Sequence, residues 1–168
     1  DALEKHFNNW NIIKSLNDQI PYPYPKGGMK EHFEKDAFPR MEKTKALLWL
    51  LFLKEKPDDP IGRIDYRLER MPNDQEDRGF WLAEPYWGQG YMSEAVTCGN
   101  DYIFDVLGHT KISMQNYADN TGSHRVKEKT GAVLIETKTE KWRGQDRDVE
   151  VWELTAENWR KFKEENNQ

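Results

Sequence analysis

The chain has 168 residues, and 30 Asp and Glu outnumber 25 Lys and Arg, giving a net charge of −5. That length suits one domain with its own core, while the acidic balance and the lack of a basic stripe argue against bulk nucleic-acid binding. The longest apolar run, 46–53, falls well short of the roughly 18 residues a membrane span needs, and no basic-then-apolar leader is read at the start. A single cysteine, Cys98, excludes an internal disulfide framework and fits a reducing cytoplasm.

Trp, Tyr and Phe occur seven times each, so large rings are expected to build the core. Leu3, Phe7, Trp10 and Ile13 fall at three- and four-residue steps and predict a helix over 2–19. Pro21, Pro23 and Pro25 then impose an extended path that ends at Gly27-Gly28. A second helix is expected over 29–43, broken by Pro39. Strands follow at 46–55 and 61–68, with Lys56-Pro57-Asp58-Asp59-Pro60 as the hairpin loop between them. A polar loop at 71–77 leads to a strand at 78–82.

A helix of 91–106 should bury Met92, Ala95, Val96, Ile103 and Phe104, with Gly99 in the same stripe and Gly108 at its end. Cys98 lies within it and is read as core rather than as a nucleophile. Residues 111–117 alternate, with Ile112, Met114 and Asn116 on one face. Asp119, Asn120 and Thr121 can cap a helix that stops at Gly131. Strands 133–142 and 147–154 flank a turn at 143–146, and Thr155 can cap a last helix carrying Trp159 and Phe162. This order predicts one α/β domain with a mixed sheet.

The densest signal is Glu84-Pro85-Tyr86-Trp87-Gly88-Gln89-Gly90-Tyr91-Met92-Ser93-Glu94-Ala95, between the strand Phe80-Trp81-Leu82 and a helix. Two glycines one residue apart permit a tight turn with exposed amides. A helix N-terminus adds unpaired N–H groups and partial positive charge, which suits a phosphate or pyrophosphate. A dinucleotide fingerprint would need a third glycine at position 93, and a P-loop would need Gly-Lys-Ser/Thr; both are absent. Taken alone, such a turn also serves simply to pack a helix on a sheet.

Tyr86-Trp87-Gly88-Gln89-Gly90-Tyr91-Met92-Ser93-Glu94-Ala95 resembles motif A of the GNAT N-acetyltransferases, whose loop binds the pyrophosphate of acetyl-coenzyme A. It most resembles the RimJ/RimL-like branch, which acetylates protein N-termini and small amines. Asn120-Thr121-Gly122-Ser123-His124-Arg125-Val126-Lys127-Glu128-Lys129-Thr130-Gly131-Ala132 is similar to that branch's Asn-x-x-Ser-x-Arg-Val-x-Glu-Lys-x-Gly-Phe element. Trp142-Arg143-Gly144-Gln145-Asp146-Arg147-Asp148 is similar to its final hairpin. The likeness spans nearly the whole chain in order, with departures. Pro85 fills a Gln/Arg slot, Ala132 replaces a Phe, and the family's first strand is missing before a helix that already starts at Asp1, so an incomplete N-terminus is expected.

The resemblance implies a single GNAT domain over 1–168, with a mostly antiparallel twisted sheet splayed at its centre and flanked by helices. It implies acetyl transfer from acetyl-coenzyme A to a primary amine by direct attack, and relatives are often dimers; no metal is expected, and charge and hydropathy already predict neither a nucleic-acid nor a membrane partner. Amides of Gly88, Gln89, Gly90, Tyr91 and Met92 would cradle the pyrophosphate. The backbone of Trp81, Leu82 and Ala83 would pair with the pantetheine arm, splaying from the strand that ends near Asn116. Asn120 would contact a pantetheine amide, cap the helix, or do both. Arg125 and Lys129 could meet phosphates or lie on a solvated face.

The amine must be neutral to attack, so a base or a water chain should take its proton. Glu140 is the candidate, set against a plain solvated carboxylate. Ser123 is the candidate proton donor to the thiolate, set against an exposed first-turn serine. Many relatives carry a tyrosine four residues after Ser123, where this chain has Lys127. Among the histidines, which show no metal-ligand spacing, only His124 beside Ser123 invites mutation. Trp10, Tyr22 and Tyr24 line an acceptor pocket or anchor the core. A mildly acidic surface would favour a cationic amine, or serve solubility alone. Two other classes stand against the transferase: a non-catalytic acyl-coenzyme A-binding module and a nucleotide-binding oxidoreductase. Binding without turnover would mark the first, and protection by NAD the second.

Overall fold

The computed structural model describes residues 2–71 and 77–166, and the expected polar loop at 71–77 lies mostly outside them. The chain divides into two compact units, Asp1–Glu69 with Gly79–Gln89, and Arg70–Arg78 with Gly90–Gln168.

In the first unit the opening segment is two short helices, α1 (Ala2–Phe7) and α2 (Trp10–Ile13), rather than one helix over 2–19. Two asparagines cause the break. Asn9 has extended φ/ψ and its side chain accepts from Asn11 N, capping α2, while Asn8 Oδ1 accepts from Tyr24 N at 2.9 Å. Asparagine competes with the helical backbone in this way and is favoured at caps. Leu3, Phe7, Ile12, Ile13, Met29 and Trp81 form the buried cluster beneath, with Trp81 packed 5.0 Å from Phe7, ring to ring.

Gly28–Glu42 stays helical through Pro39, which was expected to break it. α3 (Gly28–His32) widens into a π turn over Phe33–Ala37 and resumes as α4 (Phe38–Glu42). Phe38 N donates to Phe33 O, five residues back, so the ladder is already displaced where proline has no N–H to give.

β1 (Leu47–Leu53) and β2 (Lys56–Tyr66) pair antiparallel around a Lys54-Glu55 turn, and β3 (Arg78–Leu82) completes the order β1-β2-β3. The expected loop 56–60 is therefore the start of β2. Its two prolines sit where the register shifts between Phe52↔Pro60 and Leu53↔Lys56, a bulge that asks for no proline N–H.

The second unit begins with α5 (Tyr91–Asp101), which passes into a π turn over Tyr102–Val106 before Gly108 at φ 71. Met92, Val96, Gly99, Ile103 and Phe104 are buried as the periodicity predicts. Cys98 is exposed, which corrects its reading as core. It lies two residues, about 200° of helical rotation, from Val96 and so misses the buried stripe.

β4 (Lys111–Tyr117), β5 (Val133–Trp142) and β6 (Gln145–Thr155) form a second antiparallel sheet in the order β4-β6-β5. The β5–β6 turn is Arg143-Gly144, at φ 47 and 79, the positive pair that a two-residue hairpin requires. α6 (Thr121–Glu128) starts at the Asn120 cap, and α7 (Ala156–Asn166) starts where Thr155 Oγ1 accepts from Asn158 N at 3.1 Å. The fold is thus mixed α/β, with antiparallel sheets and flanking helices, as expected.

Candidate active site

The glycine turn is built from the strand outward. After β3, Glu84–Tyr86 forms a 3-10 turn. Asn9 and Asn11 donate to the Glu84 carboxylate at 2.6 and 2.9 Å, which fixes the start of the loop. Gln89 Nε2 donates to Pro85 O at 3.0 Å, closing the loop with a side-chain amide and keeping that side chain off the helix end. Gly88 and Gly90 have φ of 75 and 89, the left-handed region that disfavours any residue with a Cβ.

Gly90 is the N-cap of α5 and, as a glycine, brings no side chain of its own to cap the first turn. A Cβ placed at Gly88 or Gly90 would meet nothing within 4 Å, so open space borders the turn. Tyr91 and Met92 open the helix, with Met92 anchored in the core. A helix N-terminus with a glycine cap, reached through two positive-φ glycines, fits a pyrophosphate, because first-turn amides seek acceptors and carry the positive end of the helix dipole.

β3 and β4 are each an edge strand of their own sheet. On β3, the expected pantetheine-pairing groups are partly engaged. Leu82 O accepts from Trp87 Nε1 at 2.7 Å, and Ala83 N donates to Ile61 O at 2.7 Å. The indole Nε1 of buried Trp81 has no hydrogen-bond partner among the described residues.

On β4, Asn116 is buried, and its Nδ2 donates to Glu150 Oε2 at 2.8 Å and to Tyr117 O at 2.9 Å. Its Oδ1 is buried and has no hydrogen-bond partner among the described residues. An orphaned acceptor of this kind costs about 1–3 kcal/mol unless a donor reaches it, and a pantetheine amide N–H is a donor of the right kind.

α6 carries the remaining expected groups. Asn120 Oδ1 accepts from Ser123 N at 3.1 Å, which makes Asn120 a helix cap. Ser123 is buried, not exposed, and its Oγ accepts from Lys127 Nζ at 2.7 Å. Arg125 and Lys129 are exposed. Glu140 stands on β5, largely exposed, 2.8 Å from Lys138 Nζ. Trp10 and Tyr22 are exposed with ring centroids 5.2 Å apart, while Tyr24 stands edge-on to Phe7 at 4.8 Å. Among the described residues no group of three His, Cys, Asp or Glu is placed to hold a metal ion, and no helix is long and apolar enough to cross a membrane.

Two residues escaped the sequence reading. Glu150 is buried and collects hydrogen bonds from Asn116 Nδ2, from His124 Nδ1 at 2.9 Å and from Trp152 Nε1 at 3.2 Å. Burial pushes its pKa up, but these three donors outweigh burial and hold it below the ordinary carboxylate value. The hydrogen bond to Glu150 raises His124, with further support from Glu128. Lys127 is the second, only 2% exposed. Both were visible in phase: Glu150 alternates with Trp152 and Leu154 along β6, and Lys127 follows Ser123 by one helical turn.

The family pattern of the Acetyltransferase (GNAT) domain matches residues 1–133. The chain therefore belongs to the GNAT acetyltransferase family. No protein of curated function matches it in sequence. Solved structures share its fold. Spermidine N-acetyltransferase from Vibrio cholerae, in complex with CoA and spermine, is 18% identical, with a TM-score of 0.74 over 93% of this chain and 89% of that one. A GNAT-family acetyltransferase from Bacillus anthracis is 18% identical, with a TM-score of 0.73 over 93% and 88%. A protein of Vibrio cholerae, provisionally assigned as a ribosomal-protein-serine acetyltransferase, is 20% identical, with a TM-score of 0.62 over 74% and 72%.

Proposed function

We propose that the protein transfers the acetyl group of acetyl-coenzyme A to a primary amine. The observation that carries this reading is the start of α5 at a glycine cap, Gly90, which with Gly88 stands at positive φ beside open space. The amides of Gly88 to Met92 hold the pyrophosphate, Lys129 adds charge, and Asn116 Oδ1 accepts from a pantetheine amide. The backbone of Trp81 to Ala83 supports the same arm with whatever groups Trp87 and Ile61 leave unused. The coenzyme supplies an activated thioester.

The chain's own work is to position the acceptor and move two protons. Ser123 Oγ–H delivers one to sulfur. Glu140, directly or through water, takes the other from the attacking amine, so no covalent enzyme intermediate is needed. The acceptor is a primary amine on a small molecule or a protein N-terminus. Spermidine is the acceptor of one structural neighbour, and the RimJ/RimL-like motifs at 86–95 and 120–132 fit either a protein N-terminus or a small amine. We assign the site of action to the cytoplasm, on the single unpaired cysteine.

Thiol release from acetyl-coenzyme A, followed with spermidine, an aminoglycoside and short peptides with free Ser or Ala N-termini, tests this. Amine-dependent release supports the transferase. Tight coenzyme binding without release across the panel would replace it with a non-catalytic acyl-coenzyme A-binding module.

A further inference from the structure

We propose that Lys127 drives the proton relay of this site: its ammonium supplies, through the Ser123 hydroxyl, the proton that the departing thiolate needs. This rests on the acetyl-transfer reading above and adds a residue that reading does not contain.

Two inward positions of α6, Ser123 and Lys127, are buried and polar where a packing helix would be apolar, and buried Thr130 follows just beyond its end. Lysine is almost never fully buried for packing alone, and Leu or Met would fill the same space without the cost of taking an ammonium out of water. Lys127 Nζ donates to Ser123 Oγ at 2.7 Å and to Gln115 O at 3.3 Å. The second bond ties it to β4 beside Asn116, the side chain with the orphaned acceptor.

A hydroxyl that accepts from a cation must point its own O–H elsewhere. It also donates that hydrogen more strongly, because successive hydrogen bonds polarise one another. The serine is held in place from its other side by Asn120 Oδ1 on its backbone N–H.

The step balances as follows. The amine nitrogen forms a bond to the acetyl carbon and the C–S bond breaks, its electron pair leaving on sulfur. Sulfur takes the hydroxyl proton of Ser123, and Ser123 takes one from Lys127 Nζ. The amine's proton leaves through the base to solvent, and solvent returns one to Lys127.

The test is a titration of the thiol of coenzyme A bound to the full chain, read by thiolate absorbance, with kinetics alongside. In the wild-type complex the thiol should titrate about one pH unit or more below the ordinary thiol value of about 8.5. Lys127→Met and Ser123→Ala should each return it to that value and lower kcat by about 10²-fold. The Michaelis constant for acetyl-coenzyme A should stay within about twofold, and the double variant should be no slower than either single one, as residues acting as a unit behave. A purely structural lysine would move stability and leave the thiol unchanged. Wild-type-like titration in Lys127→Met, or losses that multiply in the double variant, overturns the relay. If Lys127→Met does not fold, Ser123→Ala decides alone, since its unchanged thiol titration also overturns the relay. No coenzyme binding by the wild type would remove the acetyl-transfer reading itself, before any variant is compared.

Discussion

His124 Nδ1 donates to the Glu150 carboxylate at 2.9 Å, joining α6 to β6 beside Ser123. The same carboxylate accepts from Asn116 Nδ2 and Trp152 Nε1, and the His124 ring stands edge-on to Trp152 at 5.0 Å. One buried carboxylate thus sets the orientation of Asn116 on β4 and of the helix that carries Ser123.

Replacing Glu150 with alanine should leave three donors without their acceptor. A loss of about 3 kcal/mol is expected, measured by urea unfolding. A change under about 1 kcal/mol would mean the network holds little.

The pair also sets a pH window. His124 is raised above its ordinary 6.5, so its stabilisation is fully present below about 6.5 and is lost as pH rises through the raised value. Glu150 is lowered below its ordinary 4.5, so its contribution is present above about 4.5 and is lost as pH falls through the lowered value. Both act together between these limits. His124→Gln should therefore cost most near about pH 5.5, and the difference from wild type should shrink by about pH 8. The ring is partly exposed, so solvent screening keeps the effect at about 1 kcal/mol or less. Urea unfolding at the two pH values checks the sign; a cost that grows with pH would refute the assignment.

Glycines sort by what surrounds them. A Cβ on Gly62 would lie 2.5 Å from Trp81 O, and one on Gly131, at φ 77, would lie 2.8 Å from Phe162 Cγ. Gly62→Ala and Gly131→Ala should each cost about 2 kcal/mol or more. Gly88→Ala meets no atom and bears only left-handed strain, about 1–2 kcal/mol. Thermal unfolding of the three variants ranks them, and Gly88→Ala as the worst would contradict the geometry.

Regular pattern was legible; local competition was not. Alternation along 111–117 and the glycine turn before α5 gave β4, α5 and the positive-φ turn between β3 and α5 directly, because each follows from a period or a backbone requirement. Asn8-Asn9 was hidden under apolar spacing that continued through it, although paired asparagines are themselves a break signal. Pro39 was read as a stop, yet one π turn absorbs it. Pro57 and Pro60 were read as loop, yet a bulge seats them within β2. Of the candidate site, Ser123 and Asn116, both buried, are singled out by motif and phase. Their partners Lys127 and Glu150 are not, since a charged residue in a buried phase reads as surface until its neighbours are placed.

The measurement that bears most directly on the central claim is thermal unfolding with acetyl-coenzyme A, desulfo-coenzyme A or NAD, on wild type and Gly90→Trp. A ligand at about 100 times its dissociation constant adds about 2.7 kcal/mol, or roughly 5–10 °C for a chain of this size. The account predicts that shift with both coenzyme forms, none with NAD, and none with any ligand in Gly90→Trp, whose side chain would occupy the open side of the turn. No shift with coenzyme A, or an unchanged shift in Gly90→Trp, would contradict it.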